Sequence, residues 1–168
     1  MTVRIEILGI GSPFHPDQAA MSLVEGMRRD GFSSGIEGVE FAFQTLDRPG
    51  WGLLDFLRKT RWAILVDAMV SGRKPGAVSR LDIDTLPFPS RTLTSHEVGL
   101  LPVLALGRSL GLLPRGLVLY GIEIDPPPFP DPASSPREPP FAVVRSLRKA
   151  ILRDTASLLA PESVREGR

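Results

Sequence analysis

The 168-residue chain contains no cysteine, which excludes disulfides, thiolate metal sites and cysteine nucleophiles. Absence of cysteine also fits a cytoplasmic setting. Charge of one sign is not in excess: 20 Lys and Arg face 19 Asp and Glu, a net charge of +1 that gives no reason to expect a polyanion partner. Aromatic residues interleaved with Lys or Arg, as single-strand nucleic-acid binders need, are missing as well. No apolar run approaches the roughly 18 residues of a membrane span. The opening MTVRIEILGIG carries Arg4 and Glu6 inside its apolar run, so it reads as a strand rather than a signal peptide. The expectation is a soluble, cytoplasmic protein with no nucleic-acid ligand and no membrane insertion. Phosphate cradles are poorly supported too. GIG at residues 9–11 lacks the third glycine of the dinucleotide fingerprint, and no Gly-Lys-Ser/Thr follows it.

What the chain does have is enough apolar content, 42%, to bury one substantial core, and a regular alternation of strand and helix signals. Val3 to Leu8 is a β-rich run, with Gly9 and Gly11 expected to stop it and turn the chain. Asp17 can cap a helix reaching about Asp30, because Ala20, Leu23, Val24 and Met27 recur at helical spacing and Gly31 follows as a stop. Val39 to Phe43 alternates as a strand, and Trp51 to Thr60 reads as a short helix burying Leu53, Leu54 and Leu57. WAILV at 62–66 is the continuous apolar run of a central parallel strand, ending at Asp67. A weaker strand signal covers Ala77 to Ile83, a Leu-rich helix runs from His96 to about Leu110, and Gly116 to Ile124 is the last strand. Phe141 to Leu159 closes the chain as a helix with apolar Val144, Leu147, Ile151 and Leu158. Between these two, residues 125–140 (DPPPFPDPASSPREPP) are too rich in proline for a regular element; they read as a loop, either a spacer or a partner-binding segment. The pattern predicts a single α/β domain over residues 1–168, a three-layer α/β/α sandwich around a mainly parallel twisted sheet of about five strands.

Ligands of such sheets collect at the carboxyl ends of the strands, near the point where strand order reverses. Three polar places fall there: the loop with His15, Asp17 and Gln18, the strand end at Asp67, and His96 within LTSHEVGL. A carboxylate at the rim of a core has lost part of its hydration and needs a cation, backbone donors or a proton. Asp67 could equally serve as a helix cap, and His96 as a cap or a surface residue. Imidazole with carboxylates suits a borderline divalent ion such as zinc or nickel, although spacing alone does not specify one here.

Taken in order, these stretches resemble those of the maturation endopeptidases of nickel–iron hydrogenases. That family opens with a strand leading into G-x-G-N-x-x-x-x-D-[DE]-G-x-G, continues with V-D-A-x-x-x-G-x-x-P-G, and then has S-x-H-x-x-x-L. The corresponding stretches here are LGIGSPFHPDQAA (8–20), VDAMVSGRKPG (66–76) and TSHEVGLL (94–101), and LVLYGIEI (117–124) is similar to the family's closing strand. The resemblance implies an endopeptidase that removes a C-terminal tail from a hydrogenase large-subunit precursor after nickel is loaded, with no organic cofactor. It implies that nickel in the precursor is sensed by Gln18, Asp67 and His96. Gln18 departs from the pattern, since the family has an acid there and a neutral amide binds a divalent ion more weakly. Asp17 or His15 from the same loop are alternatives for completing the set. Ser12 likewise replaces the family's Asn, and Ala19 and Ala20 stand where glycines are expected.

No Ser/His nucleophile pair is evident, so the expected hydrolysis has no covalent intermediate, with Asp67 or Asp17 as general base and nickel polarising the carbonyl or delivering a water. The partner is then the hydrogenase large-subunit precursor, and the protein is expected to act as a monomer. A rival reading, motivated by Gln18 and the proline-rich loop, is a non-catalytic member that holds the immature large subunit. An unrelated α/β hydrolase or nucleotide binder would need a nucleophile elbow or a phosphate loop, and neither is visible.

Overall fold

The computed structural model describes residues 2–13, 18–85, 99–124 and 140–159. Expectations for His15, Asp17, His96, the helix start near His96 and residues 125–139 lie outside the described residues. Five strands form one sheet in the order β2-β1-β3-β5-β4: β1 Val3–Gly11, β2 Val39–Asp47, β3 Trp62–Met69, β4 Val78–Leu81 and β5 Gly116–Glu123. The first, second, third and fifth strands are mutually parallel, whereas β4 runs antiparallel along β5 at the sheet edge. Strand order reverses at β1, which has β2 on one side and β3 on the other.

Among the described residues four helices cover the two faces: α1 Gln18–Arg29, α2 Gly52–Leu57, α3 Leu100–Ser109 and α4 Phe141–Leu159. One core joins α1 and α4 to Ile5, Ile7, Ile64, Val66 and Tyr120. The other joins α2 and α3 to Leu8, Ile10, Ala63, Leu65 and Leu119. Alternate residues of each strand thus feed opposite layers, the parity that a pleated backbone imposes. The predicted α/β/α architecture and mainly parallel sheet are what the chain adopts.

Several boundaries differ from the expectations, each for a local reason. The two glycines do not stop β1, which continues to Gly11 in register with β2. At Gly9 a side chain would meet the carbonyl oxygen of Ala20 at 2.9 Å and Val24 Cβ at 3.0 Å, so glycine here lets α1 lie directly on the strand. Similarly, β3 runs past Asp67 to Met69, because Asp67, Ala68 and Met69 still pair with β5. The second helix is shorter than expected, and its basic neighbours Arg58 and Lys59 lie beyond its last turn. In the weak-strand region the strand proper is Val78–Leu81, while Ile83–Thr85 forms a single 3-10 turn. On α4 the deeper residue of the first turn is Val143, with Val144 only partly buried.

Candidate functional site

Asp67 occupies the reversal point. It pairs with Ile10 across β1 and β3, and strand parity sends it to the same face as Ala63 and Leu65, toward α2 and α3. There it lines a cleft of about 260 Å³. One wall is the end of β1 (Ile10, Gly11), another the turn Arg48-Pro49-Gly50, and the third the start of α3 (Gly99, Leu100). The carboxylate is half-buried, and its Oδ1 accepts a hydrogen bond from the Ala68 N–H at 2.9 Å. An oxygen held by a backbone donor is fixed in direction. At the third wall the N-cap of α3 is Gly99, which has no side chain of its own to cap the helix, so the positive end of the helix contributes to the cleft.

Gln18 is the first residue of α1, which packs on the opposite sheet face, and it is not in the cleft lining among the described residues. Of the metal-sensing residues expected from the sequence, Gln18, Asp67 and His96, the structure therefore describes two and brings only Asp67 into the cleft. Among the described residues no three His, Cys, Asp or Glu side chains converge as a metal site. No described helix is long and apolar enough to cross a membrane.

Two residues that sequence reasoning passed over hold the segments that adjoin the cleft strands. Arg48 has φ +39°, the only positive value outside glycine among the described residues. Its N–H donates to the Gly11 carbonyl at 2.8 Å, tying the turn after β2 to the end of β1, and its Nε donates to Asp47 Oδ1 at 2.8 Å. The signal was the string Asp47-Arg48-Pro49-Gly50, a turn composition after a strand. The other is Glu123, nearly inaccessible at the end of β5. Its carboxylate accepts the Ser71 N–H at 2.7 Å, the Ser71 hydroxyl at 2.6 Å and the Gly72 N–H at 2.9 Å. The Ser71 hydroxyl, foremost, holds its carboxyl below the ordinary range; burial opposes, and the N–H groups of Ser71, Gly72 and Arg73 add to the lowering.

Glu123 thereby anchors the loop that follows Asp67, and the rest of the VDAMVSGRKPG stretch serves the same end. Lys74-Pro75-Gly76-Ala77 closes as a turn with the Ala77 N–H on the Lys74 carbonyl at 3.0 Å, and Gly76 sits at φ +83°, the value that a type II turn requires. In this motif Asp67 is the charged residue that lines the cleft, and the glycines and proline fold the loop behind it.

Residues 49–133 match the family model for hydrogenase maturation proteases. That span includes Asp67 and His96, while Asp17 and Gln18 lie ahead of it. The hydrogenase expression/formation protein HupD of Thiocapsa roseopersicina is 30% identical over 124 residues, covering 71% of this chain and 54% of HupD. HoxM of Azotobacter vinelandii, described in the same words, is 29% identical over 165 residues, or 96% of this chain and 74% of HoxM. The chain thus spans about half the length of one curated relative and three quarters of the other. Among solved structures, the hydrogenase maturating endopeptidase HybD from E. coli superposes with a TM-score of 0.58 at 22% identity, over 94% of this chain and 92% of that one.

Proposed function

The chain belongs to the hydrogenase maturation protease family, and from that premise we propose that it is the endopeptidase that removes the C-terminal tail of a hydrogenase large-subunit precursor. The observation that carries this reading is Asp67, a half-buried carboxylate in the cleft at the reversal of strand order, within the residues that match the family. The nickel belongs to the precursor and is part of the substrate.

In this reading the precursor presents its metal centre and tail to the cleft, in the cytoplasm, to a monomeric protease. Hydrolysis adds a water to the scissile carbonyl, transfers a proton to a base, and returns a proton to the departing amine. Asp67 takes one of two roles, ligand to the substrate's nickel or base for the water; Asp17 is the second candidate for the base. His96 supplies an imidazole, and Gln18 a neutral carbonyl oxygen. The positive N-terminal end of α3 favours the negative charge that grows on the carbonyl oxygen.

Replacing Asp67 or His96 by Ala and following tail removal on a gel is the direct check. Each change is expected to slow processing by about a hundredfold or more. Unchanged processing in both variants would sink the mechanism. The holding-protein reading rests on Gln18; it predicts that the unaltered protein binds precursor without cutting it and that Gln18→Glu gains cleavage.

A further inference from the structure

On the sheet face opposite Asp67, a groove of about 440 Å³ lies between the edge strand β4 and α4. Its charged lining is of one sign: Arg80 from β4, and Lys149 and Arg153 from α4, all exposed. Ser146 and the ring of Tyr120 complete the floor. Behind the groove is one buried acid, Asp154. It receives the Tyr120 hydroxyl at 2.5 Å, and the Nε atoms of Arg80 and Arg153 each lie 2.9 Å from it. Burial is the largest single influence on Asp154 and opposes its charge. The hydrogen bonds from Arg153 and Tyr120 with the charges of Arg153 and Arg80 together overcome it and keep the carboxyl below its ordinary range.

Counting donors decides what this cluster is equipped to do. Two guanidiniums carry about ten N–H groups, whereas a carboxylate offers about four acceptor sites, one of which the tyrosine uses. Asp154 therefore orients the two arginines without saturating them. In charge terms, three cations against one acid among the described residues make the groove positive in a chain whose total is only +1. The neighbouring backbone adds a second recognition element. Among the described residues β4 pairs only with β5 and ends the sheet, so its outer N–H and C=O groups form an edge to which an extended chain can add.

We infer that the α4–β4 groove is a docking site for an extended acidic polypeptide segment of the protein partner, remote from the cleft where the bond is cut. Identification of that partner with the hydrogenase precursor rests on the function proposed above; the chemistry of the groove does not. A short row of carboxylates matches three cations over one strand length, and the edge supplies backbone pairing that nucleic acid cannot use. The site would raise the residence of the folded precursor without touching the reacting atoms.

The test uses the full chain and a fluorescein-labelled octaglutamate peptide, followed by anisotropy at low and high salt. Wild type is expected to bind, and Lys149→Glu to weaken binding about tenfold. Arg145→Glu, on the same helix but outside the groove lining, should change it by less than about twofold. Equal losses in the two variants, or no binding by wild type, overturn the proposal as mere net attraction or nothing. So does single-stranded DNA that binds more tightly with the same dependence on Lys149, or inorganic phosphate that displaces the peptide at equal charge concentration. A second arm measures tail removal from the precursor, where Lys149→Glu should raise KM with kcat unchanged; an unchanged KM overturns the docking role. If wild type processes no precursor, the function proposed above fails, while the peptide arm still reads the groove.

Discussion

Arg48 holds a left-handed backbone conformation at the lip of the cleft, where its N–H closes onto the end of β1. A side chain at positive φ costs about 1 kcal/mol, which glycine does not incur. Its pair with Asp47 is exposed. Arg48→Gly is therefore expected to keep a Tm about 2–4 °C above that of Arg48→Ala, which loses the same guanidinium but keeps a β-carbon at positive φ, while both slow tail removal. A Tm no higher than that of Arg48→Ala would mean that the strain argument is wrong. Glu123 gives the opposite kind of prediction. Its folded-state pKa is lowered, so its stabilisation is fully present above the unfolded value near pH 4 and is lost as pH falls through the folded value. Glu123→Gln should lower Tm most near neutral pH, and the gap to wild type should close in acid. A gap of constant size from about pH 7 to pH 3 would assign the loss to packing and not to charge.

At the level of elements, α4 is held to the sheet by apolar Val143, Leu147, Ile151 and Leu158 and by the buried bond from Tyr120 to Asp154. Tyr120→Phe keeps the ring but leaves a buried carboxylate without that donor, a loss of about 2 kcal/mol in denaturant unfolding. The neighbouring Thr155 is fully buried and its hydroxyl has no hydrogen-bond partner among the described residues. Thr155→Val should accordingly gain about 1 kcal/mol, and a measured loss would reveal a partner for the hydroxyl. Apolar periodicity made α1 and the buried face of α2 legible in the sequence, since Ala20, Leu23, Val24 and Met27 are the residues that α1 buries. What periodicity does not carry is where a strand stops. Gly9 reads as a breaker, yet it is an interior strand residue whose missing side chain admits α1, a fact set by the approach of another element. The true extent of β3 beyond Asp67 depends likewise on its pairing with β5, which lies some fifty residues further along the chain.

For the whole molecule, the alternation of strands and helices was sufficient to give the three-layer architecture, and the antiparallel β4 is the one strand that departs from it. Of the cleft, the place of Asp67 was readable because it follows the buried run WAILV at the carboxyl end of a central strand, although a capping role was equally open to it there. Arg48 and Glu123 were not, because their roles come from a turn folding back on β1 and a loop folding back on β5. The reading of function joins this geometry to the family, and both meet at Asp67. The measurement that tests it most directly incubates the protein with nickel-loaded and nickel-free large-subunit precursor and follows tail removal, with Asp67→Asn alongside. The account predicts cleavage of the nickel-loaded precursor by wild type, none of the nickel-free form, and a loss of about a hundredfold or more in the variant. Equal cleavage of both precursors, or full activity of Asp67→Asn, would contradict it.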